Sequence, residues 1–181
     1  TRDPERMTRN DGPWYYEQRA LGFNYRIPDI NCALGVSQAK KLPAFVERRR
    51  AIATLYDAAL KAPAFEARIV PLRVPTGVAS SYHLYVVRIV PRGDESLETV
   101  QRLRKEVFVR LREAGIYAQV HYIPVHRQPD FRAAGLVHDE LPGADAYYAG
   151  CISLPMYPAM TNDDVERVVQ ELQKVRRQVL P

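Results

Sequence analysis

Cysteine is nearly absent from this chain, with only Cys32 and Cys151 in 181 residues. The two lie far apart and match no metal-ligand or redox spacing, which excludes a disulfide scaffold and a thiolate metal centre. Cys32 falls on an apparent helix and Cys151 in the apolar run Cys151-Ile152-Ser153-Leu154, so both are expected as buried free thiols suited to a reducing cytoplasm. No apolar run approaches the ~20 residues needed to span a bilayer, and no leader pattern stands at the start, so a cytoplasmic protein without a membrane partner is expected. A glycine-rich phosphate loop, a Ser-His-Asp order and a paired-carboxylate motif are also missing. These absences leave a binding half-site and no complete catalytic machine. The first residue is Thr1, and a piece of a longer polypeptide is expected.

What is present is ordinary for a folded protein: 46% hydrophobic and 26% charged residues, which excludes disorder throughout. The net charge of +5 would suit a polyanionic partner. The basic runs Arg48-Arg49-Arg50 and Arg176-Arg177, however, are interleaved with Glu47, Glu166 and Glu171 in helical patterns. They are read as solvated helix faces, and no nucleic-acid partner is expected.

Residues 1–28 form a polar arm, broken at Asp11-Gly12-Pro13, that concentrates three aromatics at Trp14-Tyr15-Tyr16 and needs a surface to lie on. Residues 29–60 carry a helical period, with Ile30, Ala33, Leu34 and Ser37 on one face and a break or kink expected near Leu42 because of Pro43. Residues 61–181 mix periods. Ile69–Leu72, Tyr82–Val90, Ile116–Ile123 and Cys151–Leu154 read as strands. Ser96 caps a helix that Gly115 stops, a short helix lies near Ala144–Tyr148, and Thr161 with Asp164 opens a last amphipathic helix. The order predicts an α+β fold, with helices packed on a small, mostly antiparallel sheet.

Two constellations could carry chemistry. Asn24, Arg26 and Asp29 sit in a loop running into a helix, with no lysine nearby, and an arginine fork there suits phosphate or carboxylate. Equally, Asn24 could close a turn and Arg26 could pair with Asp29. In Gln119-Val120-His121-Tyr122-Ile123-Pro124-Val125-His126, a strand would put Gln119 and His121 on one face and Val120 and Tyr122 on the other, with His126 in the following loop. Two imidazoles and a phenol could orient a sugar hydroxyl, a phosphate or a carbonyl. The alternative is a structural His121 beside a core Tyr122. His83 is read as a sheet residue and His138 as an exposed loop residue. No metal site is expected, since no full ligand set stands at the required spacing.

Three segments resemble the DegT/DnrJ/EryC1/StrS family of fold-type I sugar aminotransferases. They are Leu21-Gly22-Phe23-Asn24-Tyr25-Arg26-x-x-Asp29-Ile30-x-x-Ala33-Leu34-Gly35-x-x-Gln38, His121-Tyr122-Ile123-Pro124-Val125-His126-x-Gln128-Pro129, and Ile152-Ser153-Leu154-Pro155-Met156-Tyr157-Pro158. The likeness covers nearly the whole chain and fits the carboxy-terminal half of the aspartate aminotransferase-like fold. The histidine motif and Trp14-Tyr15-Tyr16-Glu17 are most similar to the branch that aminates UDP-4-keto-6-deoxy-N-acetyl-altrosamine.

The resemblance implies pyridoxal 5'-phosphate (PLP) held as a Schiff base by a lysine, glutamate as amino donor, the C4 ketone of a UDP-sugar as acceptor, and a homodimer with its active site at the interface. It implies that Asn24 binds the PLP phosphate and that Arg26, His121, Tyr122 and His126 bind substrate. No catalytic residue is expected in this chain itself. None of Lys40, Lys41, Lys61, Lys105 or Lys174 has the required neighbourhood, and the chain alone should be inactive. Pro28 stands where the family commonly has a hydroxyl residue. Two other readings stay open: a stand-alone basic α+β module for nucleotide or RNA, and a non-catalytic subunit that completes a partner's site.

Overall fold

The computed structural model describes residues 1–23, 25–65, 68–135 and 141–180. The backbone divides into two compact units, Thr1–Lys40 and Lys41–Pro181.

In the first unit, the polar segment gathers around one carboxylate. Glu17 accepts hydrogen bonds from the Thr8 amide and hydroxyl, the Arg9 amide and the Tyr15 hydroxyl. The Thr1 ammonium donates to the Glu17 carbonyl. The segment therefore has its own internal order, from turn-forming Asp and Gly residues whose side chains and amides bond locally.

Helix α1 spans Asp29–Leu60 and continues through Pro43 without the expected break. Proline leaves the carbonyl four residues back without its donor. Here that residue, Ala39, is exposed, so water can serve its carbonyl. Cys32 is exposed as well, contrary to the expectation of a buried thiol, as are all of residues 29–44 of α1.

In the second unit, β1 (Ile69–Pro71), β2 (Tyr85–Ile89) and β3 (Cys151–Leu154) form an antiparallel sheet in the order β1-β2-β3. Val87 pairs with both Pro71 and Ile152. Helices α2 (Leu97–Glu113), α4 (Pro142–Gly150) and α5 (Asn162–Val179) pack with the sheet and the buried half of α1, and α3 (Pro129–Ala133) is a single short turn. Tyr56, Phe65, Val87, Val107, Ile152 and Leu172 lie at the centre of the core. This is the α+β arrangement expected. Ser96 caps α2, Gly115 ends it with φ +76, and Thr161 and Asp164 form a reciprocal capping box on α5.

Four local expectations are corrected. Residues 116–123 are not a strand: only Gln119 bridges Ser153, because the His121 carbonyl is turned to the Tyr147 hydroxyl and the Cys151 thiol. The strand expected from Tyr82 begins at Tyr85, since Tyr82 has φ +48, and His83 is an exposed residue before the sheet. Arg48 and Arg49 are half-buried and not part of a solvated face, and Arg50, though exposed, is engaged as well. Arg48 donates to the Met160 carbonyl, Arg49 to those of Tyr82, His83 and Met156, and Arg50 to that of Ser80. These irregular segments have carbonyls that no ladder satisfies, and the arginine row supplies the donors. Arg176 is buried too, at 8% exposure. His138 lies outside the described residues.

Candidate functional site

Strand β3 is buried along its length, and its outer edge carries the histidine segment. Backbone hydrogen bonds in both directions between Gln119 and Ser153 fix the register, 3.0 and 2.8 Å long. Two residues on, His121 Nδ1 lies 2.8 Å from the Ser153 hydroxyl. The His121 carbonyl accepts from Tyr147 on α4 at 3.2 Å. Ring and carbonyl are thus both held by the buried sheet edge, and the half-buried imidazole keeps Nε2 for another partner. Tyr122 is 69% exposed with its ring edge-on to His121, so it is no core aromatic.

His126 is placed differently. It sits in a 3₁₀ turn over Val125–Arg127 and is 5% exposed. Its Nε2 donates to Asp145 at 3.0 Å, and Arg127 reaches the same carboxylate oxygen at 2.6 Å. Arg132 donates to the His126 carbonyl at 2.8 Å. Asp145 therefore neutralises one cation and orients one imidazole, and the two together pin the loop that follows Tyr122. Arg127 and Arg104 both lie over the Tyr148 ring.

Burial pushes the Tyr147 hydroxyl and the Cys151 thiol above their ordinary ranges, so both stay protonated and can donate at neutral pH. Neither is poised as a nucleophile.

Asn24 lies outside the described residues. Arg26 belongs to the first unit, in an exposed stretch with Phe23, Tyr25 and Ile27. His121, Tyr122 and His126 share one segment of the second unit, two with accessible rings and one locked inside. Sequence reading did not single out Ser153, Tyr147, Asp145 or Arg127. Period-two alternation places Ser153 beside the histidine segment only once the strand pairing is known.

All five lysines are exposed, on α1, α2, α5 and the turn after α1. Among the described residues, no group of three His, Cys, Asp or Glu could hold a metal ion, and no helix is long and apolar enough to cross a membrane.

A family model for the DegT/DnrJ/EryC1/StrS aminotransferases matches residues 5–173. The UDP-4-amino-4,6-dideoxy-N-acetyl-beta-L-altrosamine transaminase of Campylobacter jejuni is 32% identical over 92% of this chain and 41% of its own length. The solved structure of PseC from Helicobacter pylori, an aminotransferase of pseudaminic acid biosynthesis, superposes with TM-score 0.76 at 26% identity, over 93% of this chain and 43% of that one. The sugar aminotransferase Spr1654 of Streptococcus pneumoniae, described as putative and solved in its PMP form, gives TM-score 0.76 at 28% identity over 92% and 40%. The chain thus spans about two-fifths of the length of the curated relatives it matches. Its three-stranded antiparallel sheet and helices are those of fold-type I enzymes, and the chain belongs to the DegT/DnrJ/EryC1/StrS aminotransferase family.

Proposed function

We propose that this chain is the carboxy-terminal part of a PLP-dependent nucleotide-sugar aminotransferase, acting as a cytoplasmic homodimer. The whole enzyme moves an amino group from glutamate to the C4 ketone of a UDP-4-keto-6-deoxy-hexose. The observation that carries the reading is the family match across residues 5–173, joined by a relative named as an amino-sugar transaminase. When bound, PLP supplies the electron sink that such an amino transfer needs.

The chain's own residues bind and orient. His121, its Nδ1 tied to Ser153, presents Nε2 to a sugar hydroxyl or phosphate oxygen, and Tyr122 offers a ring and a hydroxyl beside it. His126, buried against Asp145, holds the loop that follows Tyr122 and through it shapes the nucleotide-sugar pocket. Asn24 reads the cofactor phosphate and Arg26 an anionic group of substrate or donor, as a guanidinium fork favours. Residues 1–28 serve as arm and cofactor-contact loop, 29–60 as the linking helix and 61–181 as the small domain. With every lysine of the chain exposed, the covalent attachment of PLP is assigned to a lysine outside it.

The test is on the native gene product. PLP is added, borohydride reduces any lysine adduct, and the intact mass and modified peptide are determined. A pyridoxyl lysine outside residues 1–181, together with amino transfer from glutamate to a UDP-4-keto sugar, is expected. No adduct in a 20.7 kDa polypeptide would remove the catalytic reading.

A further inference from the structure

Helix α2 lines a cleft of about 470 Å³ with Glu98, Gln101, Arg102, Arg104, Lys105 and Phe108, and Val120 adds to its lining. That volume falls in the ~300–1,000 Å³ range of small-molecule sites. Gln101, Arg104, Lys105 and Phe108 are three and four residues apart and so share one helical face. The cleft brings three cationic side chains against a single carboxylate.

Arg104 is the unusual member. It is only 8% exposed, and its buried Nε has no hydrogen-bond partner. Its guanidinium lies over the Tyr148 ring, 5.0 Å from the centroid, which packs a cation without accepting its N–H groups. Asp145 is already taken by His126 and Arg127. A buried guanidinium with an unmet donor, in a cleft with two further cations, calls for an anionic acceptor. The exposed Arg102 and Lys105 would meet its remaining charge, Gln101 offers an amide, and Phe108 and Val120 give apolar contact for an uncharged body.

We propose that the α2 cleft binds a small phosphorylated organic molecule, its phosphate on Arg104, Arg102 and Lys105 and its body on Phe108 and Val120. A phosphate ester fits better than a bare ion because the cleft is larger than an ion needs and three of its seven lining residues, Gln101, Phe108 and Val120, carry no charge. The proposal does not depend on the transaminase reading.

The test uses the full chain with ¹⁵N-labelled arginine and ribose 5-phosphate as probe, with inorganic phosphate and ribose in separate titrations. A saturable shift of the Arg104 Nε–H resonance with ribose 5-phosphate is expected. Inorganic phosphate should bind on the order of tenfold more weakly, and ribose should leave the signal in place. The double variant R102E/K105E changes only exposed side chains and should keep the wild-type circular dichroism while losing affinity by on the order of tenfold or more. An Arg104 resonance that does not move, equal binding of inorganic phosphate, or unchanged affinity in the double variant would each overturn the proposal.

Discussion

His126 Nε2 lies 3.0 Å from Asp145 Oδ1, joining the turn at 125–127 to helix α4 through a buried imidazole and a half-buried carboxylate. The ionised carboxylate only accepts, so the proton of this bond sits on Nε2. Replacing Asp145 by Ala strands the imidazole and leaves Arg127 without its partner. We expect a loss of about 1–3 kcal/mol, read by urea unfolding, with His126→Ala costing a similar amount. Strict additivity in the double variant would show that the two do not act together.

Ser153 fixes the ring of His121 through a 2.8 Å contact, and its own side chain is buried. Ser153→Ala should leave the sheet intact at a cost of about 1 kcal/mol. The His121 imidazole ¹⁵N signals should move toward tautomeric averaging. Unchanged ¹⁵N shifts would mean that Ser153 does not set the tautomer.

The Glu17 carboxyl is held at about 2, first by the Thr8 hydroxyl and then by Tyr15 and the amides of Thr8 and Arg9, against an opposing burial effect. A depressed folded value means that the disordered segment takes up its proton first. The support from Glu17 is therefore complete above its ordinary value of 4.5 and fades as pH falls toward 2. The Thr8 and Arg9 amide shifts should titrate together with a midpoint well below 4.5. A midpoint at the ordinary value would show that the bonds do not hold the segment.

Gly150 ends α4 beneath β2, where a Cβ would overlap the Ile89 carbonyl oxygen. That atom is backbone in a central strand and cannot swing aside. Gly150→Ala should cost roughly 1–3 kcal/mol or more, measured by thermal or urea unfolding. A neutral result would show that α4 and β2 have room to separate.

Leu21, Phe23, Tyr25, Ile27, Ile30 and Leu34 are all at least 60% exposed within a short span of sequence. Such a density of bare apolar side chains marks a surface that something covers. The isolated chain should self-associate, and sedimentation at rising concentration should show it. Replacing Phe23 and Leu34 by polar residues should shift the chain toward monomer. A monomeric profile of the unmodified chain at high concentration would contradict this.

Local chemistry made much of the fold legible in the sequence. The Ser96 and Thr161 caps, the Gly115 stop, the strand Cys151–Leu154 and the apolar face of α5 each depend on side chains within a few residues of one another. The family motifs were legible for the same reason, as short runs. Tertiary structure decided the rest. Whether residues 116–123 stay in the ladder depends on Tyr147 and Cys151, which compete for the His121 carbonyl from 26 and 30 residues away. Three consecutive arginines read as a solvated face because sequence does not reveal which distant carbonyls lack donors, and Arg49 meets three of them. Period and capping follow from neighbours along the chain, whereas the partners of a long polar side chain are set by which irregular backbone the fold brings within its reach.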